Sequence, residues 1–471
     1  MAVALCDASA MPGGSWGDDG NIIAALKNNV GLSRIPSAGG APTPLTELAQ
    51  GEVTHRWPQI LPGSKAVLFT ASDSPVGFDA SNIEVMSLAD HHRKTLVRGG
   101  TFGRYLPSGH LVYMTRGTLF AVPFDLRTLA VQGTPTPLLD DVAYNERVGS
   151  AQFDFSGVGT LVYRNGGASG FLTVSWIEAD GKTEPLLAKP GVYQFPTVSP
   201  DGQRLALNVT EGSSMDIWVY DWPRDTMTRL TFTGRNWVPL WSPDGRYIVF
   251  NALGAGMFWI RSDGAGQPQP LTQSKNLQDP ASFTPDGKQM AFEEVDPKTG
   301  LDLWTVPIEN DGAGLRAGKP EVFLQTPSVE RAPYLSPDGR WLAYISDESG
   351  TPQIYVRAFP AKGGKWQISN SGAIYPMWSR TGHELFFETL DQRIMVAAYT
   401  VKGDSFVADK PRVWSETKLG GIGRNVSIAP DGKRIAVLMP AGAPEAPQAQ
   451  NHVIFLENFF DELRRKVPVG K

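Results

Sequence analysis

Short runs of alternating apolar and polar residues recur along the whole chain, and tight turns separate them. Residues 238–241 (VPLW) and 246–250 (RYIVF) read as two strands joined by Ser-Pro-Asp-Gly at 242–245. In such a turn proline presets φ, aspartate bonds nearby backbone N–H groups, and glycine adopts the left-handed conformation that closes the hairpin. Residues 257–260 and 269–272 read as a third and a fourth strand. The pattern predicts an antiparallel sheet of four strands.

The same turn recurs through the sequence, in intact or degenerate form. Its closing glycine stands at Gly20, Gly63, Gly109, Gly159, Gly202, Gly245, Gly287, Gly339, Gly382 and Gly432, with spacings of 42 to 52 residues. A period in the forties with strands on both sides of each turn is typical of β-propeller blades. The sequence therefore predicts an all-β fold, a β-propeller built from about ten four-stranded blade repeats.

The quality of the repeats predicts how the chain divides. The first four turns are degenerate, whereas the last six are more regular and are mostly preceded by a proline, as at Pro196 and Pro239. Six blades are enough to close a ring. We therefore expect an N-terminal propeller unit over residues 1–190, with four degenerate motifs whose ring need not be complete. A six-bladed propeller is expected over residues 191–471, and one larger ring is the alternative topology.

The C-terminal residues carry a helical pattern instead. Phe459, Leu463 and Val467 are spaced i, i+4, i+8 and share one face of a helix over residues 458–466. Acidic residues come early and basic residues late in this stretch, as the helix dipole prefers. We expect a short helix whose apolar face packs against the last blade.

Composition and charge exclude several classes of partner and site. The 471 residues carry a net charge of −5 without a basic cluster, which argues against nucleic acid as a partner. No apolar stretch reaches the roughly 18 residues of a membrane span, and the first residues lack a signal-peptide pattern. Cys6 is the single cysteine, so neither an intrachain disulfide nor a thiolate zinc site is expected. We expect no cofactor. The chain as written carries no targeting segment and would be cytoplasmic, but the sequence leaves the compartment open.

Several segments resemble one known family. They are residues 55–63 (HRWPQILPG), 104–113 (RYLPSGHLVY), 335–350 (LSPDGRWLAYISDESG) and 363–369 (GGKWQIS). They resemble the TolB-like, WD40-like propeller region that follows the kinase domain of many bacterial eukaryotic-like serine/threonine protein kinases. The resemblance implies a non-catalytic, extracytoplasmic propeller that senses ligands or contacts proteins. The glycine-rich loop, His-Arg-Asp and Asp-Phe-Gly motifs of a kinase are absent from the sequence.

The candidate binding residues follow from propeller geometry, because the innermost strand of each blade lines the central channel. Residues just before each turn are therefore expected to face a protein, small-molecule or glycan ligand. They are His55, Arg56, Arg104, Gln152, Gln194, Asn236, Asp279, Glu330, Arg331, Tyr375, Arg424 and Asn425. The alternative is that these side chains bond one another and ordered channel water.

An enzyme is the alternative class of function, specifically a hydrolase or lyase acting on a glycan or ester in a propeller channel. Oligogalacturonate lyases are TolB-like propellers that use clustered histidines on a metal. The six histidines of this chain are scattered apart from the adjacent pair His91 and His92. A metal site would need ligands that converge from separate blades. The sequence therefore singles out no catalytic residue and no metal ligand.

Overall fold

The computed structural model describes residues 5–8, 11–74, 77–140, 142–146, 148–164, 168–169, 171–211, 214–296, 299–360, 363–419, 424–441 and 453–468. Nearly all regular structure in these ranges is β-strand, and one helix follows near the C-terminus. The predicted all-β class and β-propeller fold are confirmed.

The strands of the first part of the chain are β1 (Gly14–Trp16), β2 (Asn21–Ala24), β3 (Ser33–Pro36), β4 (Thr43–Pro44), β5 (Thr54–Ile60), β6 (Ala66–Ser72), β7 (Asn82–Ser87), β8 (Arg93–Arg98), β9 (Thr101–Leu106), β10 (His110–Thr115), β11 (Thr118–Asp125), β12 (Ala130–Val131), β13 (Thr136–Leu139), β14 (Tyr144–Asn145), β15 (Ser150–Ala151), β16 (Phe153–Phe155), β17 (Leu161–Arg164) and β18 (Ala168–Ser169). They are followed by β19 (Leu172–Glu178), β20 (Thr183–Val198), β21 (Arg204–Glu211), β22 (Ser214–Asp221), β23 (Thr226–Arg229), β24 (Asn236–Trp241), β25 (Tyr247–Ala252), β26 (Gly256–Arg261), β27 (Gln269–Pro270), β28 (Gln278–Phe283), β29 (Gln289–Asp296), β30 (Gly300–Asn310), β31 (Leu315–Ala317) and β32 (Glu321–Leu324). The last elements are β33 (Glu330–Leu335), β34 (Trp341–Ser346), β35 (Gln353–Ala358), β36 (Lys365–Gln367), β37 (Ala373–Trp378), β38 (Glu384–Thr389), β39 (Ile394–Lys402), β40 (Ser405–Ala408), β41 (Arg412–Ser415), β42 (Val426–Ile428), β43 (Arg434–Pro440), β44 (Val453–Leu456) and α1 (Phe459–Lys466).

The chain forms two compact units. The first comprises Met1–Phe171, Thr210–Ser213 and Gly442–Lys471, and the second comprises Leu172–Val209 and Ser214–Ala441. In the first unit, β1–β4, β5–β8 and β9–β13 form three consecutive antiparallel sheets. A further sheet of this unit pairs β16 and β17 with β44, and a small one joins β14, β15 and β18.

The second unit is a ring of sheets. Four sheets consist of consecutive strands, β24–β27, β28–β32, β33–β36 and β37–β41. The remaining strands form one extended sheet in the order β23-β22-β21-β20-β19-β43-β42, in which the long strand β20 serves two neighbouring blades. The innermost strands β20, β24, β28, β33, β37 and β42 contact one another in this order, and β42 contacts β20. Their side chains therefore surround a central channel.

Strand β19 closes this ring. It pairs in antiparallel register with β43 from Leu172↔Pro440 to Glu178↔Arg434. The blade that begins with β42 and β43 thus receives its outer strands, β19 and the first half of β20, from the N-terminal end of the unit. The sequence-based boundary after residue 190 falls inside β20, because Lys189-Pro190-Gly191 continues the strand instead of interrupting it.

A β-bulge interrupts the innermost strands at equivalent positions. Phe195, Val238, Ala332 and Tyr375 all adopt φ between 51° and 53°, which is uncommon for residues other than glycine. The pairing register of β24, β33 and β37 with their neighbours shifts at this point. A bulge redirects the side chains that follow it. The inward and outward alternation of side chains therefore changes phase at the bulge.

In three blades a buried threonine hydroxyl accepts a hydrogen bond from a backbone N–H, and we call this contact the hydroxyl latch. Thr272 Oγ1 accepts a hydrogen bond from the Met257 N–H at 3.0 Å and donates to Gln278 Oε1 at 2.6 Å. Thr231 makes the equivalent contact with the Ile217 N–H, and Thr46 does so in the first unit. Thr272 bonds directly to the innermost strand of the following blade. Thr231 instead donates to Asp216 of its own blade, and Asp216 accepts a hydrogen bond from Asn236 of the next blade.

The predicted C-terminal helix is confirmed as α1, but the expectation that it packs against the last blade, that of β42 and β43, is wrong. Phe459, Phe460, Leu463 and Val467 are buried. They pack in the first unit against a cluster that includes Phe153. The helix therefore covers the sheet formed by β16, β17 and β44.

Replacing Thr272 with valine tests the hydroxyl latch. Thr272→Val keeps the shape but leaves the Met257 N–H without its acceptor, so we expect the free energy of unfolding to fall by about 1–3 kcal/mol. Thr272→Ser retains the hydroxyl and is expected to lose less. Urea denaturation followed by tryptophan fluorescence measures both variants, and equal losses would contradict a role for the hydroxyl.

Candidate functional site

A cavity of about 390 Å³ lies in the channel of the second unit. All six innermost strands or the residues just before them, and five of the six turns that follow, contribute to its walls. Leu240, Trp241, Met377, Trp378 and Val426 are among its apolar lining residues. The volume lies within the range of small-molecule pockets, roughly 300–1,000 Å³.

Residues of the repeated turns line the outer part of this cavity. Pro200, Pro243, Pro285 and Pro337 occupy equivalent positions in four Ser-Pro-Asp-Gly or Thr-Pro-Asp-Gly turns and line the cavity. Three of them, at positions 243, 285 and 337, are exposed to solvent. The degenerate turn at residues 379–382 carries Arg380 at this position, and Arg380 also lines the cavity. We call these five residues the turn rim.

Arg424 crosses the channel at the inner part of the cavity. One guanidinium nitrogen donates to the Tyr334 hydroxyl at 2.7 Å. The other donates to Thr197 Oγ1 at 3.4 Å and to the Pro239 carbonyl at 3.3 Å. These partners lie on β33, β20 and β24, so one side chain connects four of the six channel walls. The side chain is buried, with 8% of its surface exposed.

A polar layer lies just upstream of the cavity-lining residues. Asp279 and Glu293 stand opposite each other in the pairing of β28 with β29. Asp279 accepts a hydrogen bond from Asn251 Nδ2 at 2.7 Å, and Glu293 accepts one from the Ala332 N–H at 2.6 Å. Burial and the charge of Glu293 raise the pKa of Asp279 to about 7, although Asn251, Arg331 and Arg424 act in the opposite direction.

Glu388 is a second buried acid of this region. Its side chain is 2% exposed, and burial raises its pKa to about 8. Among the residues that the structure describes, its Oε2 atom has no hydrogen-bond partner. The charges of Glu388, Arg331 and Arg424 all act on the Tyr375 hydroxyl, which places the four side chains in one electrostatic cluster.

The sequence-predicted residues of the second unit divide into two groups. Asp279, Arg331, Tyr375 and Arg424 belong to the electrostatic cluster in the channel. Gln194 on β20 and Asn425, which follows Arg424 directly in the sequence, are both buried. Within the described ranges, Gln194 Oε1 and Asn425 Nδ2 have no hydrogen-bond partner.

Asn236 and Glu330 make hydrogen bonds to residues that precede their strands in the chain. Asn236 Nδ2 donates to Asp216 Oδ1 at 2.8 Å, on the same carboxylate that receives the hydroxyl of Thr231. Glu330 Oε1 accepts a hydrogen bond from Thr326 at 2.5 Å. Both are almost completely buried. The hydrogen bonds of Asn236 account for a polar residue at its position without a ligand, whereas Glu330 Oε2 has no hydrogen-bond partner among the described residues.

Three of the four predicted residues of the first unit have local hydrogen-bond partners for their side chains. His55 is fully buried and contacts the hydroxyl of Thr46 at 2.7 Å. Burial lowers the pKa of Arg56 and of Arg104 to about 10 in both cases. Arg104 donates to backbone carbonyls, whereas Gln152 is exposed.

Sequence reasoning missed the turn rim and the cavity behind it. It placed the binding residues upstream of each turn, and of the predicted set Arg424 lines the cavity. A signal was nevertheless present. Five of the six turns in the second unit carry proline at the second position, and Arg380 is the exception.

A metal-binding cluster and a membrane-spanning helix are both absent from the described residues. In those ranges no three His, Cys, Asp or Glu side chains are grouped to hold a metal ion. Within the same ranges, no helix has the length and apolar character needed to cross a membrane.

Comparisons with known proteins give partial matches. No protein-family model matches the chain. The Tol-Pal system protein TolB of Francisella tularensis is 28% identical over 196 residues, which are 40% of this chain and 42% of that protein. The chain therefore spans less than half the length of these relatives. An uncharacterized protein of Agrobacterium fabrum is 28% identical over 181 residues, 36% of this chain and 60% of that protein.

Solved structures give weaker matches. A structure proposed to be TolB from Agrobacterium tumefaciens has a TM-score of 0.43 at 20% identity, covering 57% of this chain and 98% of that one. An oligogalacturonate lyase in complex with manganese has a TM-score of 0.31 at 14% identity, covering 74% and 86%. The sequence matches indicate TolB-like β-propeller homology.

The raised pKa of Glu388 predicts a pH-dependent stability. The group is ionised in the unfolded chain above about pH 4.3 but protonated in the folded chain up to about pH 8. The contribution of Glu388 to the free energy of unfolding is therefore fully present at low pH and is lost as pH rises through this window. Relative to Glu388→Gln, we expect the wild type to lose on the order of 1–3 kcal/mol between pH 5 and pH 9.

Urea denaturation at pH 5, 7 and 9 measures this difference. Glu184→Gln is the matched control, because Glu184 is an exposed carboxylate of the same unit. Parallel pH curves for the wild type and Glu388→Gln would contradict the expectation.

Proposed function

We propose that this protein is a non-catalytic binding propeller whose second unit holds a ligand in the channel cavity. The observation that carries the proposal is a cavity of about 390 Å³ with walls from all six innermost strands. Concave sites lined mainly by apolar side chains with a few convergent polar groups are the usual form of ligand pockets.

Arg424 forms the floor of this cavity. Its hydrogen bonds to Tyr334, Thr197 and Pro239 run across the channel axis from separate strands. A ligand that enters from the turn rim would meet this side chain at the inner part of the cavity. In this proposal the carboxylate of Asp279 attracts the guanidinium of Arg424. Gln194 and Asn425 each offer a buried polar atom that has no hydrogen-bond partner among the described residues.

The class of partner is part of the proposal. The matched relatives carry the name of the Tol-Pal system, which supports a partner protein for this chain. The resemblance of residues 335–350 to kinase-linked propellers supports a sensing role. A small molecule or glycan is compatible with the same cavity.

One observation favours an enzyme as the second candidate. Asp279 and Glu388 have pKa values of about 7 and about 8, near the range in which carboxyl groups serve as general acids and bases at neutral pH. A hydrolase or lyase would use them on a glycan or ester in the channel.

Blocking the cavity tests the binding proposal. Ser427 is a half-buried lining residue whose Oγ accepts a hydrogen bond from the Val198 N–H at 3.0 Å. Ser427→Phe would place a ring in the cavity. We expect it to weaken by at least about tenfold the binding of neutral fragments detected by ligand-observed NMR, because a tenfold loss requires about 1.4 kcal/mol.

Ser405→Phe is the matched control, since Ser405 is exposed on β40. Circular dichroism of both variants checks that the fold is retained. Equal fragment binding by the wild type and Ser427→Phe would contradict a binding site in the cavity.

An activity assay separates the two candidate functions. We expect no turnover of polygalacturonate, chromogenic esters or chromogenic glycosides, with or without EDTA. Turnover that disappears in Asp279→Asn but persists in Asp286→Asn, an exposed turn carboxylate, would favour the enzyme over the binding propeller.

A further inference from the structure

The turn rim is apolar at four positions and cationic at one. Four prolines line it, and Arg380 stands where a fifth would be. Each proline stabilises its own turn by fixing φ. Arg380 lacks this property, so the departure from the repeat gains nothing for the turn itself. It places a guanidinium at the opening of the cavity.

Arg380 differs from Arg424 in its partners. The guanidinium of Arg424 bonds to three channel walls. In the described part of the chain, no hydrogen bond or ion pair joins Arg380 to another residue. Its side chain is exposed, yet desolvation by the cavity walls lowers the pKa of its guanidinium. Its donors are therefore free for a ligand in a site that is only partly hydrated.

The charged side chains that line the cavity are all cationic. Arg380 and Arg424 are its charged residues, and no acidic residue belongs to the described lining. A guanidinium presents paired N–H donors that match the two oxygens of a carboxylate. The rest of the ligand would contact the rim prolines and the side chains of Leu240 and Met377.

We propose that the cavity binds a small carboxylic acid, with the carboxylate held by Arg380 at the turn rim and an apolar body inside. The proposal rests on the proposed function, because it names the ligand class of the same cavity. The volume of about 390 Å³ lies near the lower end of the usual pocket range. It accordingly fits a small acid with a single aryl or alkyl group.

Matched acid and amide pairs test the proposal. The probes are 4-phenylbutyrate with 4-phenylbutanamide and octanoate with octanamide, measured by isothermal titration calorimetry on the full chain. We expect each acid to bind at least tenfold more tightly than its amide. Phenyl phosphate is a further probe, and tighter binding of phenyl phosphate than of either acid would overturn the choice of a carboxylate.

Variants at position 380 test whether Arg380 causes the preference for the acid over the amide. Arg380→Gln should remove the preference for the acid, whereas Arg380→Lys should retain part of it because the charge remains. Arg380→Pro restores the residue of the other turns and should fold normally while losing the preference. Arg224→Gln is the matched control, since Arg224 is an exposed arginine of the same unit with an ion pair to Asp221.

The outcomes separate this inference from the proposed function. Equal binding of acids and amides by the wild type would overturn the carboxylate assignment and leave the cavity as a binding site. A preference for acids that survives in Arg380→Gln and Arg380→Pro would overturn the role of Arg380. Absence of probe binding, with neutral fragments still sensitive to Ser427→Phe, would overturn this inference alone. Loss of that sensitivity would contradict the proposed function as well.

Discussion

The second unit depends on the pairing of β19 with β43. Residues from opposite ends of the unit form a ladder from Leu172↔Pro440 to Glu178↔Arg434. Without this ladder the blade of β42 and β43 would have an unpaired edge, and β42 would have no fixed position against β20. The ring of innermost strands, the cavity among them and the crossing of Arg424 all require β42 to stay in that position. A long-range contact between the two ends of the second unit therefore fixes the geometry of the site, although no site residue belongs to this contact.

Much of this fold could be predicted from local signals. Turn residues such as Asp244 and Gly245 specify hairpins through their own conformational preferences, and the helix at Phe459–Lys466 carries its apolar stripe in the sequence. The position of β19 could not be predicted in this way, because its partner strand lies more than 250 residues away and nothing local records that pairing. The same reason explains why Lys189-Pro190-Gly191 resembled a boundary but forms part of a strand.

The candidate site was harder to predict than the fold because polar residues in innermost strands have two different roles. Asn236 belongs to the hydrogen-bond network of a latch, whereas Arg424 points across the channel. The bulge at residues such as Val238 shifts the alternation of side chains along the strand, so simple period-two counting assigns the wrong faces beyond it. Arg380 was visible in the sequence as a departure from the repeated turn, but its meaning required the cavity behind it.

Arg424 also gives the channel an adjustable depth. Its guanidinium spans the channel through hydrogen bonds to Tyr334 and Pro239 and acts on the charge of Asp279, and it does so without belonging to the hydrophobic core of any blade. A shorter residue at this one position would lengthen the space open to a ligand while the surrounding sheets kept their packing. The length of the ligand that fits the channel would thus depend on the size of one side chain. A change at this position would alter that length without any rebuilding of the scaffold.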